Sequence, residues 1–141
     1  MSQKITRGRC LCGQVTFEYE GPENWSGHCH CESCRRNTSS PFTSFFGVPR
    51  TAYRFTGEAP AVYESSPGVR RHFCRRCGTP IAYDADDYPD EIHFYAASLE
   101  HPEDFVPQFH VHYAEHLPWV ELSDALPRYA RGTVDPLAGD H

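Results

Sequence analysis

Seven cysteines fall in three tight groups, and their spacing is what this chain offers chemistry. Cys29, Cys31 and Cys34 form C-x-C-x-x-C within GHCHCESC. Three soft thiolate ligands at that spacing can converge on one metal ion and leave its fourth position open. Cys10 and Cys12 in C-L-C, with Cys74 and Cys77 in C-R-R-C, supply the number and type of ligand for a closed tetrahedral site. Zinc is the ion expected at both, with rubredoxin-type iron as the rival at the closed site. A saturated ion is architectural, tying the N-terminal strand to a mid-chain hairpin. An ion with three thiolates is a weak Lewis acid, so the open site favours binding and ionising a substrate thiol over activating water. A thiol ionised in that way stays nucleophilic at neutral pH. The competing reading is a second structural zinc whose fourth ligand is His28, His30 or a more distant histidine.

The elements that must position these thiols read as short strands. Val15, Phe17 and Tyr19 alternate with Thr16, Glu18 and Glu20 across Gly13–Glu20, which predicts a half-buried strand directly after C-L-C-G. Gly13 follows Cys12 and Gly78 follows Cys77, so both halves of the closed site carry a residue that can take positive φ and aim amides at sulfur. Cys34 is followed by Arg35, and its polar surroundings, ESCRRNTSS, hold one helical turn. PFTSFFGV, TAYRFTG, APAVYES, VRRHFC, IAYD and EIHFYAASLE predict further strands between Pro and Gly turns, with Ile92, Phe94 and Ala96 opposite His93 and Tyr95. Glu100 to Phe105 predicts a single helical turn. That rhythm, with 12 prolines and 10 glycines, predicts a mainly β domain of short antiparallel strands.

Composition narrows the function classes. At 141 residues the chain fits one domain, expected over 1–131, with a loosely held tail at 132–141. Without an apolar leader or a membrane-length apolar run it reads as soluble and cytoplasmic, where thiols serve as metal ligands rather than disulfides. The net charge of −6 and the acidic run from Asp84 to Glu91 disfavour nucleic acid. Arg9, Arg35, Arg36, Arg70, Arg71, Arg75 and Arg76 lie near cysteines and are expected to offset thiolate charge. His110, His112 and His116 invite a third-site or proton-shuttling role, with His110 and His112 expected on one strand face, although packing is the commoner fate of such residues. Trp25 and Trp119 are expected in core or pocket wall.

Taken in order, G-R-C-L-C-G-Q-V, G-H-C-H-C-E-S-C-R and F-C-R-R-C-G-T-P resemble the glutathione-dependent formaldehyde-activating enzyme family, which also includes the centromere protein V-like proteins. The resemblance runs from about residue 8 to 120, and Phe109-His110 and Pro118-Trp119 look like the family's C-terminal pattern. It implies an Mss4-like (β-tent) fold, a structural zinc on Cys10, Cys12, Cys74 and Cys77, and a catalytic zinc on Cys29, Cys31 and Cys34, the second ion being the more labile. The activity implied is addition of glutathione to formaldehyde, a carbon-sulfur lyase reaction run in reverse. The partner implied is thus a small thiol such as glutathione, with no nucleic acid and no membrane, and homo-oligomerisation left open. Arg35, Arg36 and Arg50 are candidates for holding the thiol's carboxylates by charge alone. The methionine sulfoxide reductases, relatives in fold, need a reactive cysteine outside the metal groups, and none follows Cys77. The alternative to an enzyme is a zinc-stabilised interaction module.

Overall fold

The structure, a computed structural model, describes residues 4–134. In chain order the elements are β1 (Ile5–Arg9), β2 (Thr16–Glu20), β3 (Trp25–Cys29), α1 (Glu32–Thr38), β4 (Thr43–Pro49), β5 (Tyr53–Phe55), β6 (Ala61–Ser66), β7 (Val69–Phe73), β8 (Pro80–Ala85), β9 (Glu91–Tyr95) and β10 (His110–Val111). Short 3-10 turns occupy Ala96–Ser98, Pro102–Asp104 and Tyr113–Glu115. The fold is mainly β, and its residues gather into two compact units. The first holds the chain up to Trp25 with Phe46–Phe105, and the second Ser26–Phe45 with the segment from Val106 onward.

In the first unit β1, β2 and β5 form a three-stranded antiparallel sheet, and β9, β8, β7 and β6 follow one another antiparallel in a second. Alternation along β2 works as its sequence requires: Val15, Phe17 and Tyr19 are buried. Phe17 stacks on Phe94 of β9 with ring centroids 4.2 Å apart, and Phe46, Val48, Ile81 and Ile92 complete this core. Glu18 faces the other way but is covered by Arg7 and Arg54, which pair with its carboxylate. The expected one-sided burial of β9 gives way to burial on both faces. His93 is 4% exposed because Trp25 packs edge-on against its ring and Glu91 accepts its Nε2 hydrogen at 2.6 Å. β6, last in its sheet, is exposed along most of its length and carries an irregularity between Glu64 and Ser66.

The acidic run at Asp84 to Glu91 is not a free surface patch, because both of its ends are engaged internally. Glu91 accepts hydrogen bonds from Asn24, the Trp25 indole and His93. Asp84 is 4% exposed and accepts from Arg70 Nε at 2.6 Å, from Arg50 and from His72. Burial pushes the Asp84 carboxyl up, and the bonds from His72 and Arg70 outweigh it, leaving it below the ordinary carboxylate value.

In the second unit β3 lies between β10 and β4. β10 pairs with β3 in parallel, His110 beside His28 and Val111 beside Cys29, a departure from the all-antiparallel expectation. The helical turn foreseen after the cysteines is the seven-residue α1, closed by Ser39 in the left-handed region at φ 55°. Beyond β10 the chain has little regular structure but remains bonded in: Tyr129 N donates to His110 O and His112 N to Arg131 O, each at 2.8 Å. Of the tail expected at 132–141, residues 132–134 turn away and 135–141 lie outside the described residues. Among the described residues no helix is long and apolar enough to cross a membrane.

Replacing Asp84 by Asn strands Arg70, Arg50 and His72 without their counter-charge. A loss of about 2–3 kcal/mol is expected at pH 7, less than for a fully buried pair because the two arginine side chains are about a third exposed. The depressed carboxyl contributes stability that is fully present above its unfolded value near 4 and lost as pH falls through its folded value. Urea unfolding of wild type and D84N should therefore differ at pH 7 and converge as pH falls through the depressed folded-state value of Asp84.

Candidate metal centres

Each unit carries one cysteine group. In the first, Cys10 ends the backbone run from β1, Cys12 follows in the turn, and Cys74 and Cys77 lie between β7 and β8. Their four Sγ atoms lie within 4.8 Å of one another, with Cys10–Cys12 at 3.6 Å and Cys12–Cys74 at 3.7 Å. A tetrahedron with metal–sulfur distances of about 2.3 Å has edges of about 3.8 Å, so the donor set fits a closed thiolate site. Both turns are built alike. Gly13 and Gly78 take φ of 83° and 79°, and their amides donate to Cys10 O and Cys74 O. That turn leaves the Val15 amide 3.3 Å from Cys10 Sγ, and the Arg76 and Cys77 amides each 3.4 Å from Cys74 Sγ. Thr79 bonds Cys77 Sγ at 3.1 Å and also accepts from Leu11 N, linking the two turns. The Thr79 hydroxyl and amide draw the Cys77 thiol down to about 5. Burial pushes Cys10 up, but the Val15 amide and neighbouring thiols outweigh it and hold that thiol below its ordinary value.

The arginines expected to balance this sulfur charge have other partners. Arg76 pairs with Glu58 at 2.7 Å, Arg70 with Asp84 and Asp86, and Arg9 donates to Cys10 O. Backbone amides rather than guanidinium groups face the thiols, since a tight turn directs its own N–H groups at whatever it encloses.

In the second unit Cys29 is the last residue of β3, Cys31 caps α1 and Cys34 sits in its first turn. Cys31 Sγ accepts the Cys34 amide hydrogen at 3.3 Å. The three Sγ atoms lie within 4.8 Å of one another, and among the described residues no His, Asp or Glu atom joins them. The pleat of β3 explains why its histidines stay out. Successive side chains point to opposite faces, so His28 and His30 project away from Cys29. Cys29 and Cys34 pack with Val111, Phe45, Phe109 and Tyr129, an apolar surround in which both sulfurs are buried and Cys31 is half-exposed. Hydrogen bonding with Cys31 and Cys34, then burial, pushes the Cys29 thiol far up. In Cys31 the bond with Cys29 lowers, but Cys34 and burial outweigh it, and that thiol is raised too.

The histidines form a layer of their own. Arg128 Nη1 donates to Asp124 at 3.2 Å, His110 Nε2 lies 3.1 Å from both Asp124 oxygens, and His110 Nδ1 lies 2.8 Å from His30 Nε2. With its proton on the carboxylate side, His110 accepts from His30. Burial, then neighbouring histidines, pushes His30 down to about 3 and His28 to about 4. His112 does not share a strand face with His110, because β10 ends at Val111 and His112 turns into the left-handed region at φ 53°. His116 stacks on Tyr113 at 4.1 Å and bonds its carbonyl. Trp119, expected in core or pocket wall, is 69% exposed. Arg50 is committed to Asp84 and the carbonyls of Tyr88 and Pro89, Arg36 to Glu32, and Arg35 Nε to His30 O. Asp124, Tyr129 and Thr43 carried no signal in the sequence, since their places depend on long-range pairing. A cavity of about 340 Å³ in the first unit, with Lys4, Arg7, Tyr19 and Glu23 among its lining residues, contains no cysteine.

A mainly β protein with two cysteine groups able to hold metal ions is the class that fold and site define. Residues 5–115 match the glutathione-dependent formaldehyde-activating enzyme family, and the chain belongs to it. A Schizosaccharomyces pombe protein described as an uncharacterized lyase is 34% identical over 54% of this chain and 55% of its own. A Halomonas elongata protein bearing the provisional name of glutathione-dependent formaldehyde-activating enzyme is 26% identical over 68% of this chain and 66% of its own. The chain thus spans less than two thirds of either relative. A solved Rhodobacter sphaeroides protein shares the fold at TM-score 0.57, with 23% identity over 72% of this chain and 97% of that one.

Protons and metal compete for thiols. The closed group offers four sulfurs, with Cys10 and Cys77 lowered against a Cys12 pushed up to about 12. The trio offers three, with Cys29 and Cys31 raised, so it holds metal less well in acid. Acidifying protein loaded at both groups should release metal from the trio first. A chromophoric chelator, with Cys29→Ser to identify which ion leaves, checks the order; simultaneous release would refute it.

Proposed function

We propose that this protein is a zinc-dependent carbon-sulfur lyase-type enzyme that joins a small thiol of the glutathione kind to formaldehyde or a related small aldehyde. The observation that carries the reading is the convergence of three thiols without a fourth protein ligand among the described residues. In this reading Cys10, Cys12, Cys74 and Cys77 hold a structural zinc, and Cys29, Cys31 and Cys34 hold a catalytic one. When bound there, zinc supplies the charge that ionises a thiol substrate near neutral pH. The chain's own residues do the rest. Cys29, Cys31 and Cys34 occupy three positions and reserve one; Phe45, Phe109 and Tyr129 keep water from the buried sulfurs; Cys31 fixes the start of α1 through the Cys34 amide.

The reaction balances simply. The thiol's sulfur forms a bond to the aldehyde carbon, the carbonyl π bond breaks, and the proton lost by the thiol ends on the new hydroxyl oxygen. His28 points to the face of β3 away from Cys29, His110 packs against both His28 and His30, and none of the three is assigned that proton, so solvent carries it. The chain bonded in through Arg131 supports a domain running to residue 131, and seven cysteines outside any disulfide fit a reducing compartment such as the cytoplasm. Burial of Cys29 and Cys34 also supports the alternative, a structural module in which both ions are architectural.

Exchange NMR of zinc-loaded protein with glutathione and formaldehyde should show adduct formation faster than the uncatalysed control. Cys34→Ser should reduce that excess at least 100-fold with the first unit still folded. A rate equal to the spontaneous one across several thiols, with two ions that added thiol does not loosen, would favour the module.

A further inference from the structure

Among the described residues of the second unit, one buried polar side chain lacks a partner. Ser44 Oγ lies 2.9 Å from His28 Nδ1, so Ser44 and His28 are neighbours across β3 and β4. At the other end of the same strands, in the first unit, the Trp25 indole crosses Gly47 so closely that an added Cβ would come within 2.6 Å of its Nε1. The partner's number falls as the residue number rises, as in an antiparallel pair, and this register sets Cys29 opposite Thr43. Directly opposed residues point to one face with Cβ atoms about 5 Å apart. Phe45, two residues on and on that face, packs in the cluster of Cys29 and Cys34. Thr43 is 5% exposed, and its hydroxyl is buried with no hydrogen-bond partner among the described residues. A buried hydroxyl left unpaired is unfavourable, and Val would fill the same space without that cost.

We propose that the Thr43 hydroxyl is a binding residue for the substrate's sulfur: Oγ1–H donates to the thiolate that enters the position left by Cys29, Cys31 and Cys34. The inference rests on the open-site reading above and adds to it a determinant that recognises the sulfur itself, whatever the rest of the thiol. No covalent step is involved, and the thiol's proton leaves to solvent as it binds. A hydrogen bond to a charged acceptor is worth enough that its loss weakens binding about tenfold or more.

Cobalt-loaded protein reports thiol binding through its visible absorption. Titrations of wild type, Thr43→Val and Thr43→Ser with glutathione and with 2-mercaptoethanol test the proposal. T43V is expected to bind both thiols about tenfold or more weakly, and T43S to stay within about twofold of wild type because the donor remains. The free T43V protein should unfold in urea no earlier than wild type, since it loses only an unpaired hydroxyl. Equal thiol affinities in wild type and T43V would overturn the proposal while leaving the open site intact, as would a loss confined to glutathione, which would mean that Thr43 reads the rest of that molecule. Wild type unresponsive to both thiols would overturn the open-site reading and this one with it. Should T43V not fold, Thr43→Ala takes its place with the same expected loss and the same overturning result.

Discussion

The pleat of a single strand governs this molecule's chemistry. A cysteine at 29 flanked by histidines at 28 and 30 looks in one dimension like a mixed ligand set. In an extended strand the side chains separate, sulfur to one face and imidazoles to the other. His30 is then held by His110 and His28 by Ser44, and neither is available to the thiols. Had the same residues been in a helix, a histidine could have swung beside the sulfurs and closed the site. That no imidazole joins Cys29, Cys31 and Cys34 among the described residues is thus a consequence of backbone conformation before it is one of composition.

The two cysteine groups solve different mechanical problems. In the closed group, residues 62 positions apart meet, Cys12 with Cys74, and two glycine turns bring backbone amides, together with the Thr79 hydroxyl, to the sulfurs. Amides in a tight turn have little freedom to reorient, so the thiols there face fixed dipoles. The open group has no such cradle. One of its sulfurs caps a helix, another ends a strand, and the side chains packed around them are aliphatic and aromatic. In the first arrangement Cys10 and Cys77 are lowered while Cys12 is pushed up to about 12, and in the second Cys29 and Cys31 are both raised.

Local pattern carried most of this to the sequence reader. Alternation at Val15, Phe17 and Tyr19 announced β2, and the glycines after Cys12 and Cys77 announced both turns, because a period of two and a positive φ are properties of a few consecutive residues. What pattern could not carry was pairing between distant segments. The partners of His110 and the burial of Asp84 by Arg50 and Arg70 both depend on register. Trp119 shows the same limit in reverse, since its bulk suggested the interior while the irregular segment around it leaves the ring exposed. The guanidinium groups near the cysteines misled for a related reason: closeness along the chain is not closeness in space, and carboxylates from other strands reach them first.

The short α1 helix has a further meaning. Seven residues are too few to hold a helical conformation in water unaided, and the sulfur at its start is also one of the three that converge. A bulky group joined to that sulfur through a disulfide, for instance, disturbs the start of α1 and the converging trio at the same moment. Ellipticity from this one helical segment is therefore a built-in gauge of the chemical state of Cys31, readable without substrate or chromophore.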